Sequence, residues 1–213
     1  GVIWYQGEAN VGRSEQYEDL FPALITDWRR QWRSDFPFYF VQLANFMESK
    51  KIQPDSEWAA LREAQTKALK LDQVGMVVTI DIGLADDIHP KNKQEVGRRL
   101  ALVALAGSYG KNVSSSAPVF QNYIIKGNKM ELDFGQKQDG FQIKGTTLKG
   151  FTIAGPDRVF YPAEAMVHDG KIILSSTEVP APLAARYGWA DNPDCNLYGE
   201  NGLPVAPFRT DCW

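Results

Sequence analysis

The feature that most constrains the fold of this 213-residue chain is an alternation of strand-like and helix-like segments over residues 1–111. Three short runs combine β-branched and aromatic residues as buried strands do: GVIWYQ (1–6), FPFYFVQL (36–43) and VGMVVTID (74–81). A longer stretch with apolar residues at helical spacing follows each run: residues 14–32, 54–71 and 90–110. Strand and helix repeated three times predict parallel strands with helices on both faces of the sheet. This half is therefore predicted to be α/β.

Local signals indicate where the helices begin. Asp55 or Ser56 is suited to cap the second helix, because a short polar side chain can accept hydrogen bonds from the N–H groups of the first turn. Pro90 is suited to the first position of the third helix, where its missing N–H group costs nothing. Pro22 lies inside the first helix and predicts a kink there, or a later start of the regular helix.

The pattern changes in residues 112–213, where short apolar runs are separated by glycine, asparagine and proline. Two hairpins are predicted, one turning at 127–128 and the other at 169–170. The segments LKGFTIA and PLAARYGWA are further strand candidates, and no segment has a convincing helical pattern. The tail from 191 onwards is rich in turn residues and is predicted to be irregular. We therefore predict a second, β-rich and sandwich-like domain over 112–213, after an α/β domain over 1–111.

Charge and composition exclude several kinds of partner. The net charge is −3 and the isoelectric point is near 5.5, so no basic patch indicates nucleic acid. No apolar run approaches the roughly 18 residues of a membrane-spanning helix. Cys195 and Cys212 are the two cysteines, and the sequence leaves open whether they pair.

The segment DDIHP (86–90) follows the third predicted strand, where ligands bind in sheets of this kind. A serine hydrolase needs an imidazole base and usually a carboxylate that orients it. His89 and Asp86, at D-x-x-H spacing, fit these two roles; the alternative is a solvated loop aspartate and a histidine near a helix start. A metal site formed by Asp86, Asp87, His89 and Glu8 is disfavoured, because it offers one histidine and no cysteine.

The segment QGEAN (6–10) follows the first predicted strand. Gln6 and Asn10 supply amide donors, Gly7 allows close approach of its backbone, and Glu8 adds a carboxylate. These groups are suited to an oxyanion hole or a substrate pocket. A polar loop without a catalytic role is the alternative.

Five blocks in order carry a family resemblance: WYQGEAN, PFYFVQLANF, SEWAALREAQ, DIGLADDIHPKNKQEVGRRLA and RYGWADNPDCNLYGENGLPVAPFRTD. Together they resemble the sialate O-acetylesterase branch of the SGNH hydrolases. The resemblance implies a flavodoxin-like α/β/α sheet with β-sandwich structure. It also implies deacetylation of O-acetylated sugars, sialic acid or another glycan, by a serine nucleophile without metal or cofactor. A secreted or periplasmic location is implied as well.

The same resemblance implies that His89 is the base, that Asp86 is its partner, and that QGEAN contributes to the oxyanion hole or substrate pocket. The wider family has an asparagine two positions after the glycine, where this chain has Ala9. Gln6 and Asn10 are therefore both left as candidates for the side-chain donor.

The family's nucleophile lies in a G-[DQ]-S motif well before the QGE block, and no serine of this chain has that setting. We expect the chain to be the C-terminal portion of a longer enzyme, with the missing N-terminal part as its partner. Alone, it should show little or no turnover. The alternative is a non-catalytic module that binds glycan or has a structural role.

Overall fold

The computed structural model describes residues 1–135 and 140–213. They form two compact units, each described here by itself. The α/β unit comprises residues 1–47 and 56–115. The β unit comprises residues 48–55 and 116–213, so it includes a short segment from the middle of the first half of the sequence.

A three-stranded parallel sheet forms the centre of the α/β unit, with strand order β1-β2-β3. Its strands and helices are β1 (Val2–Trp4), α1 (Ser14–Trp32), β2 (Phe38–Val41), α2 (Glu57–Lys67), β3 (Val74–Val77) and α3 (Lys93–Gly107). Short 3-10 helices lie at Glu8–Asn10 and Ala68–Lys70. The predicted α/β alternation is confirmed.

The residues at which the helices begin show which local signals determine the start of a helix. Ser56 caps α2 by accepting from the N–H group of Ala59 (3.0 Å), as predicted. The expectation for Pro90 was wrong, because α3 begins at Lys93 and Asn92 caps it. α1 continues through Pro22 from its start at Ser14, so this proline does not mark the start of the helix.

The two faces of the central strand pack against different helices. Phe38 and Phe40 of β2 belong to one apolar cluster with α1 and α2. Tyr39 and Val41 point to the opposite face and pack with residues of α3. This alternation follows from the two-residue period of a strand. At the outer strand β1, by contrast, Ile3 is 70% exposed.

Over the described residues 48–55, 116–135 and 140–213, the β unit has ten short strands in three antiparallel sheets. Their bounds are β4 (Asn122–Lys126), β5 (Lys129–Asp133), β6 (Phe141–Ile143), β7 (Phe151–Ala154), β8 (Phe160–Pro162), β9 (Glu164–His168), β10 (Lys171–Ser175), β11 (Ala184–Tyr187), β12 (Leu197–Gly199) and β13 (Phe208–Arg209). The sheet orders are β4-β5-β10-β9, β13-β11-β7-β8 and β12-β6.

Both predicted hairpins are present. β4 pairs with β5 around Gly127, and β9 pairs with β10 around Asp169 and Gly170. All three turn residues have positive φ, which explains the glycine and aspartate at these positions. Side chains from the two four-stranded sheets share one core, among them Leu132, Ile172, Ile153 and Tyr187. The prediction of a β-rich region is confirmed.

The C-terminal tail is more ordered than its sequence suggests. It contributes β12 and β13, and its Leu197 and Val205 are buried in the core of the β unit. Cys195 and Cys212 are not joined by a disulfide bond. Among the described residues, no helix has the length and apolar character needed to cross a membrane.

Candidate active site

The candidate site consists of the three loops that leave the carboxyl ends of β1, β2 and β3. Ligands bind at this edge in parallel α/β sheets. Within the α/β unit these loops comprise residues 5–13, 42–47 and 78–92. The expected site residues lie on the first and third of them.

Gln65 of α2 joins the first two loops. Its Nε2 donates to the carbonyl oxygen of Gln6 (3.1 Å), and its Oε1 accepts from the N–H group of Leu43 (2.9 Å). Gln65 is only 1% exposed, so both bonds are shielded from water. A Cβ atom on Gly7 would lie 3.0 Å from Gln65 Nε2, at a φ of 154°. The first loop can therefore approach α2 because position 7 carries no side chain.

Arg62, also on α2, fixes the second loop. Its Nε donates to the carbonyl oxygen of Leu43 and its Nη2 to that of Ala44, both at 2.8 Å. Trp58 Nε1 donates to the same oxygen of Ala44 at 2.8 Å. Arg62 is fully buried, and a buried cation requires such hydrogen bonds to offset its lost hydration. The start of the second loop, at Leu43 and Ala44, is thus held in place although it has no regular secondary structure.

Two hydrogen bonds hold the third loop against the second. The N–H group of Gly83 donates to Asn45 Oδ1 (2.6 Å), and that of Met47 donates to the carbonyl oxygen of Ala85 (3.1 Å). A Cβ atom on Gly83 would lie 1.9 Å from the carbonyl oxygen of Asn45, which no side chain can accommodate. Residue 83 therefore has to be glycine for this close approach.

Arg99 of α3 fixes the base of the third loop. It donates to both carboxylate oxygens of Asp81 (2.7 and 2.8 Å), to the carbonyl oxygen of Val78 (2.7 Å) and to Glu95 Oε1 (2.7 Å). Burial opposes its charge, but Asp81 and Glu95 outweigh this and raise the pKa of Arg99. Hydrogen bonds from Arg98 and Arg99 lower the pKa of Glu95 from 4.5 to about 2. The start of the loop carrying His89, at Val78 and Asp81, is therefore tied to α3.

His89 lies at the surface of the α/β unit, with 88% of its side chain exposed. Its backbone N–H donates to Asp87 Oδ1 (2.9 Å), and its Nδ1 lies 3.8 Å from the same oxygen. Lys91 Nζ lies 3.9 Å from the other oxygen of Asp87. Asp86 is exposed, and within the described residues no hydrogen bond or ion pair joins it to His89. The carboxylate beside the imidazole is thus Asp87, and the role assigned to Asp86 stays a prediction.

The residues of the QGEAN block bond to one another. Gln6 Nε2 donates to Asn10 Oδ1 (2.7 Å), while Gln6 Oε1 accepts from the hydroxyl of Tyr17 (3.2 Å). Burial raises the pKa of Tyr17 to about 12, so its hydroxyl stays protonated and donates. Glu8 is half-buried in the short 3-10 helix that ends at Asn10. The carboxamide of Gln6 is engaged on both sides.

The alternative metal site predicts that its carboxylate and imidazole side chains lie together in the structure. Within residues 1–135 and 140–213, no three side chains of His, Cys, Asp or Glu are grouped so that they could hold a metal ion. Asp86, Asp87, His89 and Glu8 are therefore not brought together as a ligand set.

Sequence reasoning missed the three side chains that position the loops, Arg62, Gln65 and Arg99. All three occupy helix positions at the same spacing as the buried apolar residues around them, such as Trp58, Leu61 and Val96. A polar residue on the buried face of a helix needs a hydrogen-bond partner there. The position of these polar residues on the apolar face of each helix was therefore the signal that could have identified them.

A family model described as carbohydrate esterase, sialic acid-specific acetylesterase, matches residues 1–106. The chain belongs to this family of carbohydrate esterases. Curated relatives are sialate O-acetylesterases. The one from Mus musculus is 31% identical over 98% of this chain and 43% of its own length. The one from Pongo abelii is 32% identical over 98% of this chain and 45% of its own length.

A solved structure gives the same result. The crystal structure of a carbohydrate acetylesterase from Xanthomonas citri covers 100% of this chain with a TM-score of 0.94 and 45% sequence identity. The match covers 50% of that chain. The chain spans about half the length of the relatives it matches.

Proposed function

We propose that this chain is part of a carbohydrate O-acetylesterase that acts on acetylated sialic acid or a related sugar, with His89 as the general base. The observation that carries the proposal is the construction of the third loop. Asn45 holds the loop at Gly83 and Arg99 holds it at Asp81, on the side of the sheet where α/β enzymes bind ligands. The exposed imidazole of His89 is then accessible to a nucleophile and a substrate.

The nucleophile in this proposal is a serine outside these 213 residues. Within the described part of the chain, no hydrogen bond joins a serine to His89. Ser56 is buried as the cap of α2, and Ser108 is bonded to Tyr39. His89 would take the proton of the serine hydroxyl as that oxygen attacks the acetyl carbonyl, and would give it to the departing sugar oxygen, which leaves an acetyl-serine. It would then take a proton from the water that attacks this ester and return it to the serine oxygen as acetate leaves. The chain alone is therefore expected to be inactive.

Asn10 is the better candidate for the side-chain donor to the oxyanion. The Nε2 and Oε1 atoms of Gln6 are both engaged, whereas the bond between Gln6 and Asn10 uses only the carbonyl oxygen of Asn10. The carboxamide NH2 group of Asn10 can therefore donate to the negative oxygen of the tetrahedral intermediate. Gly7 and Glu8 complete the proposed lining of this part of the site.

The test is a set of variants in the longer protein that contains the serine, assayed on O-acetylated sialic acid and on p-nitrophenyl acetate. His89→Ala should lower kcat by about 10³-fold or more, because the serine loses its base. Asp86→Asn should lower kcat by a smaller factor. Asp87→Asn is the comparison variant, because it changes the carboxylate that lies beside the imidazole. Near-normal kcat in His89→Ala would refute the proposal. A loss in Asp87→Asn that exceeds the loss in Asp86→Asn would transfer the orienting role to Asp87.

A further inference from the structure

The β unit contains a cavity of about 430 Å³, formed wholly by its own residues. This is within the size range of small-molecule sites, which is about 300–1,000 Å³. One wall is the segment 49–54, and the other walls come from residues around Gly150, Phe160 and Trp189. None of these residues belongs to the proposed catalytic set.

Hydrogen bonds hold the end of the segment 49–54 in place, at Gln53 and Pro54, although the segment has no regular secondary structure. Gln53 and Asp191 are joined twice: Gln53 Nε2 donates to Asp191 Oδ2, and Gln53 Oε1 accepts from the N–H group of Asp191 (3.1 Å). The carbonyl oxygen of Pro54 accepts from Arg186 Nη1 (2.7 Å) and from Trp189 Nε1 (3.2 Å). This end of the wall is therefore preorganised, which lowers the cost of binding a ligand.

The cavity combines an aromatic ring with polar groups at its rim. The half-buried indole of Trp189 borders it, and the bond to Pro54 fixes the orientation of the ring. The guanidinium groups of Arg186 and Arg209 lie 5.1 and 4.8 Å from the centroid of this ring, so the sugar would pack against the part of the indole that they leave open. Lys149 Nζ and Asp194 Oδ2 form an exposed ion pair (2.8 Å) on the same rim. An aromatic surface beside charged donors and acceptors suits a sugar, which has apolar C–H faces and hydroxyl groups at its edge.

The charge of the lining selects among sugars. Arg186 is neutralised by its buried ion pair with Asp211, and Lys149 by Asp194. Lys50 and Lys51 also line the cavity, and neither forms an ion pair within the described residues. Two uncompensated ammonium groups therefore remain at a site that also contains the rings of Phe151, Phe160 and Trp189. They favour a ligand that carries a negative charge.

We propose that this cavity binds the ring of an acidic sugar, with the carboxylate directed to Lys50 and Lys51 and the apolar face of the ring against Trp189. The shared chemistry is that of sialic acids and uronic acids. Binding here does not require the esterase activity, because no residue of the proposed catalytic set takes part.

The experiment is a titration of the full chain with four probes of known chemistry. Binding is measured by calorimetry or by NMR chemical-shift changes. N-acetylneuraminic acid and glucuronic acid carry both ring and carboxylate, N-acetylglucosamine carries the ring alone, and acetate carries the carboxylate alone. We expect at least one of the acidic sugars to bind about fivefold or more tightly than either of the other two probes. A stronger response to N-acetylneuraminic acid than to glucuronic acid would assign the cavity to sialic acids, and the reverse to uronic acids.

The variants localise the binding. Lys50→Gln combined with Lys51→Gln should weaken the acidic sugar by about fivefold or more, since both charges are exposed and the folded structure does not depend on them. Lys126→Gln combined with Lys129→Gln removes the same charge from the β4–β5 hairpin, away from the cavity, and should leave affinity unchanged. Trp189→Leu, with its melting temperature measured, tests the ring.

Three results would overturn the proposal. The first is a neutral sugar or acetate that binds as tightly as the acidic sugars. The second is an equal loss in the control pair of lysine variants, which would indicate attraction by net charge alone. The third is no detectable binding of any probe at concentrations up to tens of millimolar. If Trp189→Leu does not fold, the lysine pairs decide the question.

Discussion

Replacing Arg99 by methionine should destabilise the α/β unit more than any exposed substitution on the same helix. Arg99 and Asp81 are 5% and 9% exposed in their side chains, and two hydrogen bonds join them. Methionine fills similar space without donating a hydrogen bond, so the carboxylate of Asp81 would lose its cation while remaining buried. Removing one partner of such a pair costs about 3–5 kcal/mol. The carbonyl oxygen of Val78 also loses its donor, which places the expected loss at the upper end of that range.

Arg98→Met is the matched control. Arg98 is the adjacent residue and bonds to the same Glu95, but its side chain is 50% exposed. Exposed ion pairs contribute about 0–1 kcal/mol, so this variant should remain close to the parent. The contrast between neighbouring arginines isolates the effect of burial.

The assay is urea denaturation followed by tryptophan fluorescence. Four of the six tryptophans lie in the α/β unit, so the signal reports mainly on that unit: Trp4, Trp28, Trp32 and Trp58. Adding Asp81→Asn to Arg99→Met should recover about 1–3 kcal/mol, because it removes the buried negative charge that Arg99 no longer balances. A loss below about 1 kcal/mol in Arg99→Met, or no recovery in the double variant, would refute the reasoning. In the longer esterase that we propose, Arg99→Met should also lower kcat, since the loop with His89 loses its anchor.

Two further predictions concern the same loop. The pKa of Glu95 is lowered from 4.5 to about 2, so its contribution to stability is fully present above pH 4.5 and is lost as the pH falls toward 2. In Glu95→Gln, the free energy of unfolding measured in acid titrations should therefore depend less on pH between 4.5 and 2. Gly83→Ala should be destabilising, because its Cβ atom would overlap the carbonyl oxygen of Asn45 at 1.9 Å. Gly97→Ala is the matched control in thermal unfolding: a Cβ atom there meets nothing within 4 Å, and alanine should stabilise the middle of α3 by about 0.5–1 kcal/mol. Equal melting temperatures for the two alanine variants would contradict the assigned close approach.

The sequence by itself determined the elements whose signals are local. Strand–helix alternation in the first half, a cap at Asp55 or Ser56 and the hairpins at Gly127 and Asp169 were all predicted and are all present, with Ser56 as the cap. Each depends on residues within a few positions of one another, through the period of the apolar pattern or the backbone freedom of a turn residue. Such signals do not depend on contacts with distant parts of the chain.

Spacing alone was less informative inside the loops. The D-x-x-H pattern pointed to Asp86, yet in the structure it is Asp87 that accepts from the backbone N–H of His89. An aspartate two residues before an N–H group forms this bond as a local turn, in competition with any longer-range arrangement of the carboxylate. The helix start shows the same effect, because Asn92 can bond to the N–H group of Glu95 whereas Pro90 has no side chain that could.

Only the tertiary structure decided which distant groups meet. Nothing in the polar segment 48–55 indicates that it belongs to the β unit, since the partners of Gln53 and Pro54 are Asp191, Arg186 and Trp189. These partners lie 132 to 138 positions further along the chain. A buried polar group needs a hydrogen-bond partner, but the sequence does not show which residue supplies it. The choice of partner follows from how the whole chain packs, and with it come both the fixed loop of His89 and the walls of the cavity beside Trp189.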